Sequence, residues 1–474
     1  MNLVFLGVMA YVALQLAVGF LVTPRVKDEE DYLLAGRRLG LGIGTMTVFA
    51  TWFGAETCIG AAGAVYTDGL AGSRADPFGY ALCILCMGVF FAAAFWRMKL
   101  TTPGDFFRER YGVVVEKMAV FLMVPTSLLW GAAQIRAFGQ VIAATSEFNV
   151  EFGIVIAALV VVTYTCMGGL WADSITDVIQ GIVLIAGLLI IGVAVGIDHA
   201  GDPGIRDAFT AERLSLSAPG EPWFARLEAW SIPIMGSLVA QELISRMLAS
   251  KSPSVARNAC FAASGLYLAI GLIPVVLGLM GPALVPNLED PEHLLPALAE
   301  KYLSPFLYVI FAGGLISAIL STVDSNLLAS ASLVSHNVIV PLAKNPTEKY
   351  RVRAARIMVV IFGGIAYIMA TRAESVYGLV EEASAFGSSG LFVSVAFGIF
   401  LNRGGAYAAG ASLLAGVGTY VTVSILLEGP YPFLCSLAAS AIAFLAVAAF
   451  EEPSESARRL LVACRQTGPV AQQS

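Results

Sequence analysis

Thirteen apolar runs follow one another along the chain, each near the ~20 residues a helix needs to cross a hydrocarbon core. They lie at about 2–23, 41–66, 78–98, 117–145, 152–170, 175–197, 228–248, 258–284, 305–340, 355–371, 376–401, 404–427 and 430–450. This succession constrains the fold more than any motif does. In hydrocarbon every backbone N–H and C=O must be satisfied inside the protein, which a self-contained helix does. The expected fold is therefore an all-α membrane protein of about 13 transmembrane helices. Composition agrees: 58% of residues are hydrophobic and 13% charged, about half the charged fraction of soluble domains.

Charge placement sets the expected orientation. Of 28 Lys and Arg, 21 fall in one set of alternate loops and in the tail, six in the other set, and Arg136 lies inside a run. By the positive-inside rule the N-terminus is expected outside and the C-terminus in the cytoplasm, in a multi-pass protein of the cell (inner) membrane. The first run lacks the charged start and small-residue cleavage site of a signal peptide and is expected to be retained. No basic patch suited to nucleic acid is present. Six of the seven cysteines sit in apolar runs, and Cys83-x-x-Cys86 lacks a second pair, so packing rather than a metal or disulfide framework is expected.

One face of the run at 305–340 is unusual. In SAILSTVDSNLLASASLVSH, helical spacing aligns Ala318, Ser321, Thr322, Ser325, Ala329, Ser332 and His336, with Asp324 on the flank. Small and hydroxyl residues can let two membrane helices pack closely. They can equally give oxygen ligands to a hard cation, and an intramembrane Asp, costly unless paired or functional, favours the cation.

Two other runs carry polar residues and helix breakers at mid-depth: Thr51, Gly54, Glu56, Thr57, Gly60 and Gly63 in one, Pro233, Gly236, Ser237, Gln241 and Glu242 in the other. Each begins a block of five runs. Five is odd, so the second block enters the membrane inverted relative to the first. Matched interrupted helices in inverted repeats point to a transport site at the midplane. The expected organisation is a first helix and link (1–40), repeat one (41–197), an outer loop (198–227), repeat two (228–401), two peripheral helices (402–450) and a tail (451–474). Arg136, in LLWGAAQIRAFGQ, needs an acidic answer at mid-span. That answer is either internal, Glu56 or Glu242, or a substrate carboxylate gripped bidentately.

Four stretches resemble the sodium:solute symporter family: DYLLAGRRLG at 31–40, Ala50-Thr51-Trp52-Phe53-Gly54, GGLWADSITDVIQ at 168–180, and SAILSTVDS at 317–325. The resemblance covers nearly the whole chain and implies a LeuT-type core of ten helices in two inverted repeats, with three further helices around it. It implies a sodium site made by the carbonyls of Ala50, Phe53 and Ala318 and the hydroxyls of Ser321 and Thr322. Asp177 resembles the family's acidic residue near the sodium exit route. Asp324 and Ser325 fall where some members hold a second cation, although Asp324 replaces a hydroxyl. Arg136 resembles an arginine of the sialic acid carriers. Trp52, Trp130 and Tyr66 offer a rival, an aromatic cage for a quaternary amine as in the choline branch.

The reading is a transporter, not an enzyme: a sodium-coupled symporter importing a small polar solute, with carboxylates among the candidates, by alternating access. The candidate solute residues are Arg136, Glu56, Thr57, Gln134, Trp52 and Gln241, and the expected partners are sodium, the solute and the bilayer. A proton-coupled carrier of the same fold would rely on Asp324 and Asp177. A solute sensor would need a signalling domain, for which the 24-residue tail has no room.

Overall fold

A computed structural model describes residues 3–22, 26–145, 148–199, 201–206, 208–372, 383–386 and 388–465. Helices dominate, and the described residues form no β-strand. In chain order they are α1 (Leu3–Val22), α2 (Glu29–Leu34), α3 (Leu41–Trp52), α4 (Ala61–Asp68), α5 (Tyr80–Cys86), α6 (Ala92–Met98), α7 (Pro103–Tyr111), α8 (Val113–Thr145), α9 (Val150–Asp198) and α10 (Pro203–Arg206). There follow α11 (Trp223–Ser231), α12 (Gln241–Ala249), α13 (Pro253–Leu284), α14 (Leu294–Tyr302), α15 (Pro305–Val334), α16 (Glu348–Arg372), α17 (Ser388–Phe400), α18 (Ala406–Val421), α19 (Pro432–Ala448) and α20 (Glu455–Arg465). The first part of the run at 376–401 lies outside the described residues.

By length and hydropathy, eight helical runs among the described residues can cross a membrane. Shorter apolar helices span Leu41–Trp52, Val150–Thr163 and Pro432–Ala448. The sequence runs at 41–66, 152–170 and 228–248 are interrupted within their length, so this criterion passes over parts of them.

Local chemistry explains where helices begin and break. α13 and α15 start at Ser-Pro pairs: the hydroxyls of Ser252 and Ser304 accept from the amides of Val255 and Leu307, and Pro253 and Pro305 occupy the first helical position. α9 is two helices joined at Gly169, whose φ is 53° and ψ −154°. A Cβ there would lie 2.3 Å from the Tyr32 carbonyl oxygen. Only glycine meets both conditions, because φ is positive and the backbone of α2 presses against it.

Both interruptions expected from the sequence are present. α3 stops at Trp52; Phe53 (φ −76°, ψ 73°) leaves the helix, and the chain resumes through a widened turn at Glu56–Gly60 into α4. The second interruption lies between α11 and α12, through a widened turn at Ile232–Gly236 and a tight turn at Ser237–Val239. It ends at extended Ala240 (φ −60°, ψ 131°), four residues beyond Gly236.

α15 is the axis of the molecule. It is buried from Phe311 to Leu333 and packs chiefly against α9 and α8. Large apolar side chains such as Phe121 on α8 and Ile197 on α9 point outward, 76% and 74% exposed, as a lipid-facing surface requires. The interrupted ends of α3 and α12 also meet α15, so unwound backbone lies beside the hydroxyl-rich stripe.

Candidate functional site

The first centre grows from the break after α3. In an uninterrupted helix the Gly54 amide would donate to the Ala50 carbonyl; here it donates to Trp52 instead, at 2.8 Å. The Ala50 carbonyl turns to α15, lying 2.9 Å from Ser321 Oγ and 3.4 Å from Thr322 Oγ1. Thr322 Oγ1 is also 3.1 Å from the Ala318 carbonyl oxygen. Gly54 is required by close approach: a Cβ would lie 2.8 Å from Thr322 Oγ1 and 2.7 Å from Gln134 Oε1. So the Ala50 and Ala318 carbonyls and the Ser321 and Thr322 hydroxyls converge, fully or nearly fully buried, with Phe53 in the break itself. Four neutral oxygens, two from carbonyls and two from hydroxyls with one proton each, suit a hard monovalent cation.

Beneath this cradle lies a buried charge network. Asp177 Oδ1 accepts from Ser321 at 2.6 Å, and Oδ2 accepts from Thr47 Oγ1. One turn earlier on α9, Asp173 forms an ion pair with Arg246 of α12. Arg246 also donates to Ser325 Oγ at 2.5 Å and lies 4.0 Å from Asp177 Oδ2. Asp324 Oδ1 accepts from the Ser325 amide at 2.8 Å, while its buried Oδ2 has no hydrogen-bond partner. No sequence pattern singles out Asp173 or Arg246, and Arg246 falls at the end of its apolar run, among the charges of the basic loops. Arg246 is 2% exposed. The one signal for Asp173 is its place four residues before Asp177, on the same helix face.

The second centre surrounds Trp52. Its ring centroid is 5.8 Å from that of Tyr80 and 6.1 Å from that of Trp130, and Tyr80 and Trp130 are 5.7 Å apart. The Trp52 indole N–H donates to Glu242 Oε1 at 3.4 Å. Tyr80 and Glu56 line a vestibule of about 570 Å³ that lies under the 198–227 loop and is shared with Asp68 and Glu212. Trp130, Gln241 and Glu242 line a much smaller cavity deeper in the protein. The three rings thus stand between two cavities, and each cavity holds a buried carboxylate.

The remaining candidates are distributed around these centres. Gln134 clamps the break, accepting from the Ala55 amide at 2.9 Å and donating to Glu56 Oε2 at 2.5 Å. Thr57 donates to Asp76 Oδ2 at 2.6 Å, and the Tyr267 hydroxyl reaches the same oxygen at 3.1 Å. Gln241 donates to Ser332 Oγ at 2.9 Å. Tyr66 is not among the three rings; its hydroxyl donates to the Val285 carbonyl at 3.0 Å, and Tyr80 takes the expected place.

Arg136 lies two residues beyond Gln134, about 200° around the helix. It therefore faces away from the side of α8 that carries Trp130 and Gln134, and it donates to the Ala370 carbonyl of α16 at 3.5 Å. Glu56 and Glu242, the internal partners expected for it, meet Gln134 and Trp52 instead.

Comparison with known proteins fits this architecture. The high affinity choline transporter 1 of Homo sapiens is 28% identical over 452 residues, covering 88% of this chain and 76% of that protein. The high-affinity choline transporter 1 of Drosophila melanogaster is 28% identical over 373 residues, 75% of this chain and 59% of that protein. The chain thus spans roughly three-fifths to three-quarters of these relatives' own length. Among solved structures, the substrate-bound outward-open state of a Na+-coupled sialic acid symporter superposes with a TM-score of 0.83, covering 96% of this chain and 99% of that one, at 17% identity. A profile of the sodium:solute symporter family matches residues 32–416. The chain belongs to the sodium:solute symporter family.

Proposed function

We propose that the protein couples sodium entry to the uptake of a small organic cation. The observation that carries this reading is the triad of Trp52, Tyr80 and Trp130 set between the buried carboxylates Glu56 and Glu242. Aromatic faces attract a cation through their quadrupole, and buried carboxylates add full charge while repelling an anionic solute. The choline transporters among its relatives support the same class. Arg136, directed toward α16, gives a substrate carboxylate no counterpart in this cavity.

The sodium cradle is proposed at Ala50, Phe53, Ala318, Ser321 and Thr322. Sodium held there ties the interrupted α3 to α15. With that tie made, the solute settles against Trp52, on the same interrupted helix. The two five-helix blocks (41–197 and 228–401) then act as inverted repeats that rock against each other. Asp177, Asp324 and Ser325 form the proposed second cation position, with Asp173 and Arg246 beside it. One sodium crossing 100 mV contributes about 2.3 kcal/mol, near fiftyfold accumulation. A monovalent cationic solute crossing with it carries a second charge down the same potential.

Uptake into proteoliposomes tests the reading. Labelled choline or n-butylamine should accumulate with an imposed sodium gradient, labelled sialic acid or lactate should not, and Arg136→Gln should change the solute half-saturation by less than about threefold. Sodium-driven uptake of a carboxylate that Arg136→Gln abolishes would replace this proposal.

A further inference from the structure

Three carboxylates around Trp52 each keep one buried oxygen with no hydrogen-bond donor: Glu56 Oε1, Asp76 Oδ1 and Glu242 Oε2. Glu56 and Asp76 are fully buried and Glu242 is 2% exposed. Their hydrogen bonds come from neutral side chains: Gln134 to Glu56, Thr57 and Tyr267 to Asp76, and Trp52 and Ser127 to Glu242. None of the three is in an ion pair among the described residues. The basic side chains at the vestibule are already engaged. Arg74 Nη1 reaches both carboxylate oxygens of Glu221, at 2.5 and 2.7 Å, and Arg213 donates to the Val65 carbonyl at 2.9 Å.

A buried carboxylate oxygen without a donor is costly, and the demand is for N–H or O–H groups as well as for charge. A quaternary ammonium meets the charge and not the hydrogen bonds, because its nitrogen carries no proton. A primary ammonium brings three donors. The acids also stand at two ends. Glu56 opens on the vestibule beside Tyr80, with Asp76 bound by the Tyr267 hydroxyl, whose oxygen also lies 3.2 Å from the Trp52 carbonyl oxygen. Glu242 opens on the deeper cavity beside Trp130. Between the two ends lie the faces of three aromatic rings, an apolar bridge suited to methylene groups.

Resting on the small-cation reading above, we propose that the solute is a linear diamine, a dication with N–H donors at both ends. One ammonium lies at Glu56 and Asp76, the other at Glu242, and the alkyl chain crosses Trp52, Tyr80 and Trp130.

The test is binding to the purified full chain in saturating sodium, by calorimetry. The panel is putrescine, cadaverine, n-butylamine, choline and the permethylated bis-quaternary form of putrescine. Putrescine or cadaverine should bind at least about tenfold tighter than n-butylamine, and permethylation should weaken binding by about thirtyfold or more, the loss of charge-assisted hydrogen bonds. Glu56→Gln and Glu242→Gln should each reduce diamine affinity about tenfold more than n-butylamine affinity. Sodium-dependent thermal stabilisation shows whether each variant is folded; if neither is, the wild-type panel decides alone. Choline or the bis-quaternary compound binding as tightly as the diamines would overturn the diamine proposal and leave the small-cation reading in place. Binding of none of these cations would overturn both.

Discussion

Thr322→Ala isolates one oxygen of the proposed sodium cradle. Thr322 Oγ1 has one proton and two carbonyl acceptors, Ala318 at 3.1 Å and Ala50 at 3.4 Å. With sodium present, the proton can turn to Ala318 within its own helix while the hydroxyl lone pair and the Ala50 carbonyl face the ion. Removing the hydroxyl takes away a ligand in a fully buried site, where water has no ready access to replace it. Taking a charge-assisted contact as about 1.5–3 kcal/mol, the sodium midpoint should rise by about one to two decades. Thr322→Ser keeps the oxygen and should stay within about threefold of wild type. Ser317→Ala is the control: Ser317 is equally buried on α15, and its hydroxyl donates to the Gly313 carbonyl of its own helix at 2.7 Å. The assay is the sodium concentration giving half-maximal thermal stabilisation of purified protein, since a ligand bound only to the folded state stabilises it by mass action. An unchanged midpoint in Thr322→Ala, or one shifted as far in Ser317→Ala, would refute the cradle.

Two further predictions concern charge. Removing one partner of the Asp173–Arg246 pair, by Arg246→Met or Asp173→Leu, should cost about 3–5 kcal/mol because a buried charge is left unanswered. The double variant should recover most of that stability in thermal unfolding, and additive losses would contradict a paired role. At the lysine- and arginine-rich face, Glu29 meets His336 at 2.9 Å and Arg351 at 3.0 Å, and Asp105 lies 3.4 Å from His336. Burial pushes both carboxyls up, but the hydrogen bonds and positive charge around them outweigh it and hold both below their usual range. Acids depressed by folding stabilise above their unfolded pKa and lose that contribution as pH falls through the folded value. Thermal stability should therefore fall as pH drops from about 5 toward 3, with a shallower fall in Glu29→Gln; an identical slope in that variant would remove Glu29 from the account.

The sequence by itself determined the class of molecule and the hydroxyl-rich face of α15. Apolar runs of bilayer length leave no spanning architecture but helices or closed barrels, and runs this long select helices. The 3.6-residue period placed Ala318, Ser321, Thr322 and Ser325 on one stripe because that relation is internal to α15. Glycine at 54 and proline at 233 marked segments unable to stay regular, for reasons local to the backbone. What only the tertiary structure decided is what each polar group meets. Tyr80 rather than Tyr66 joins Trp52 and Trp130, because helix packing, not spacing along the chain, brings rings together. Arg246 is not a loop charge, because α12 carries it inward to Asp173, 73 residues earlier in the chain. Arg136 turns toward α16 while Gln134 meets the break after α3, and only the rotation of α8 within the bundle decides which of the two does so. Within one helix the period fixes relations between neighbours; between helices, side-chain packing fixes them, and most of the proposed solute site is made of relations of that second kind.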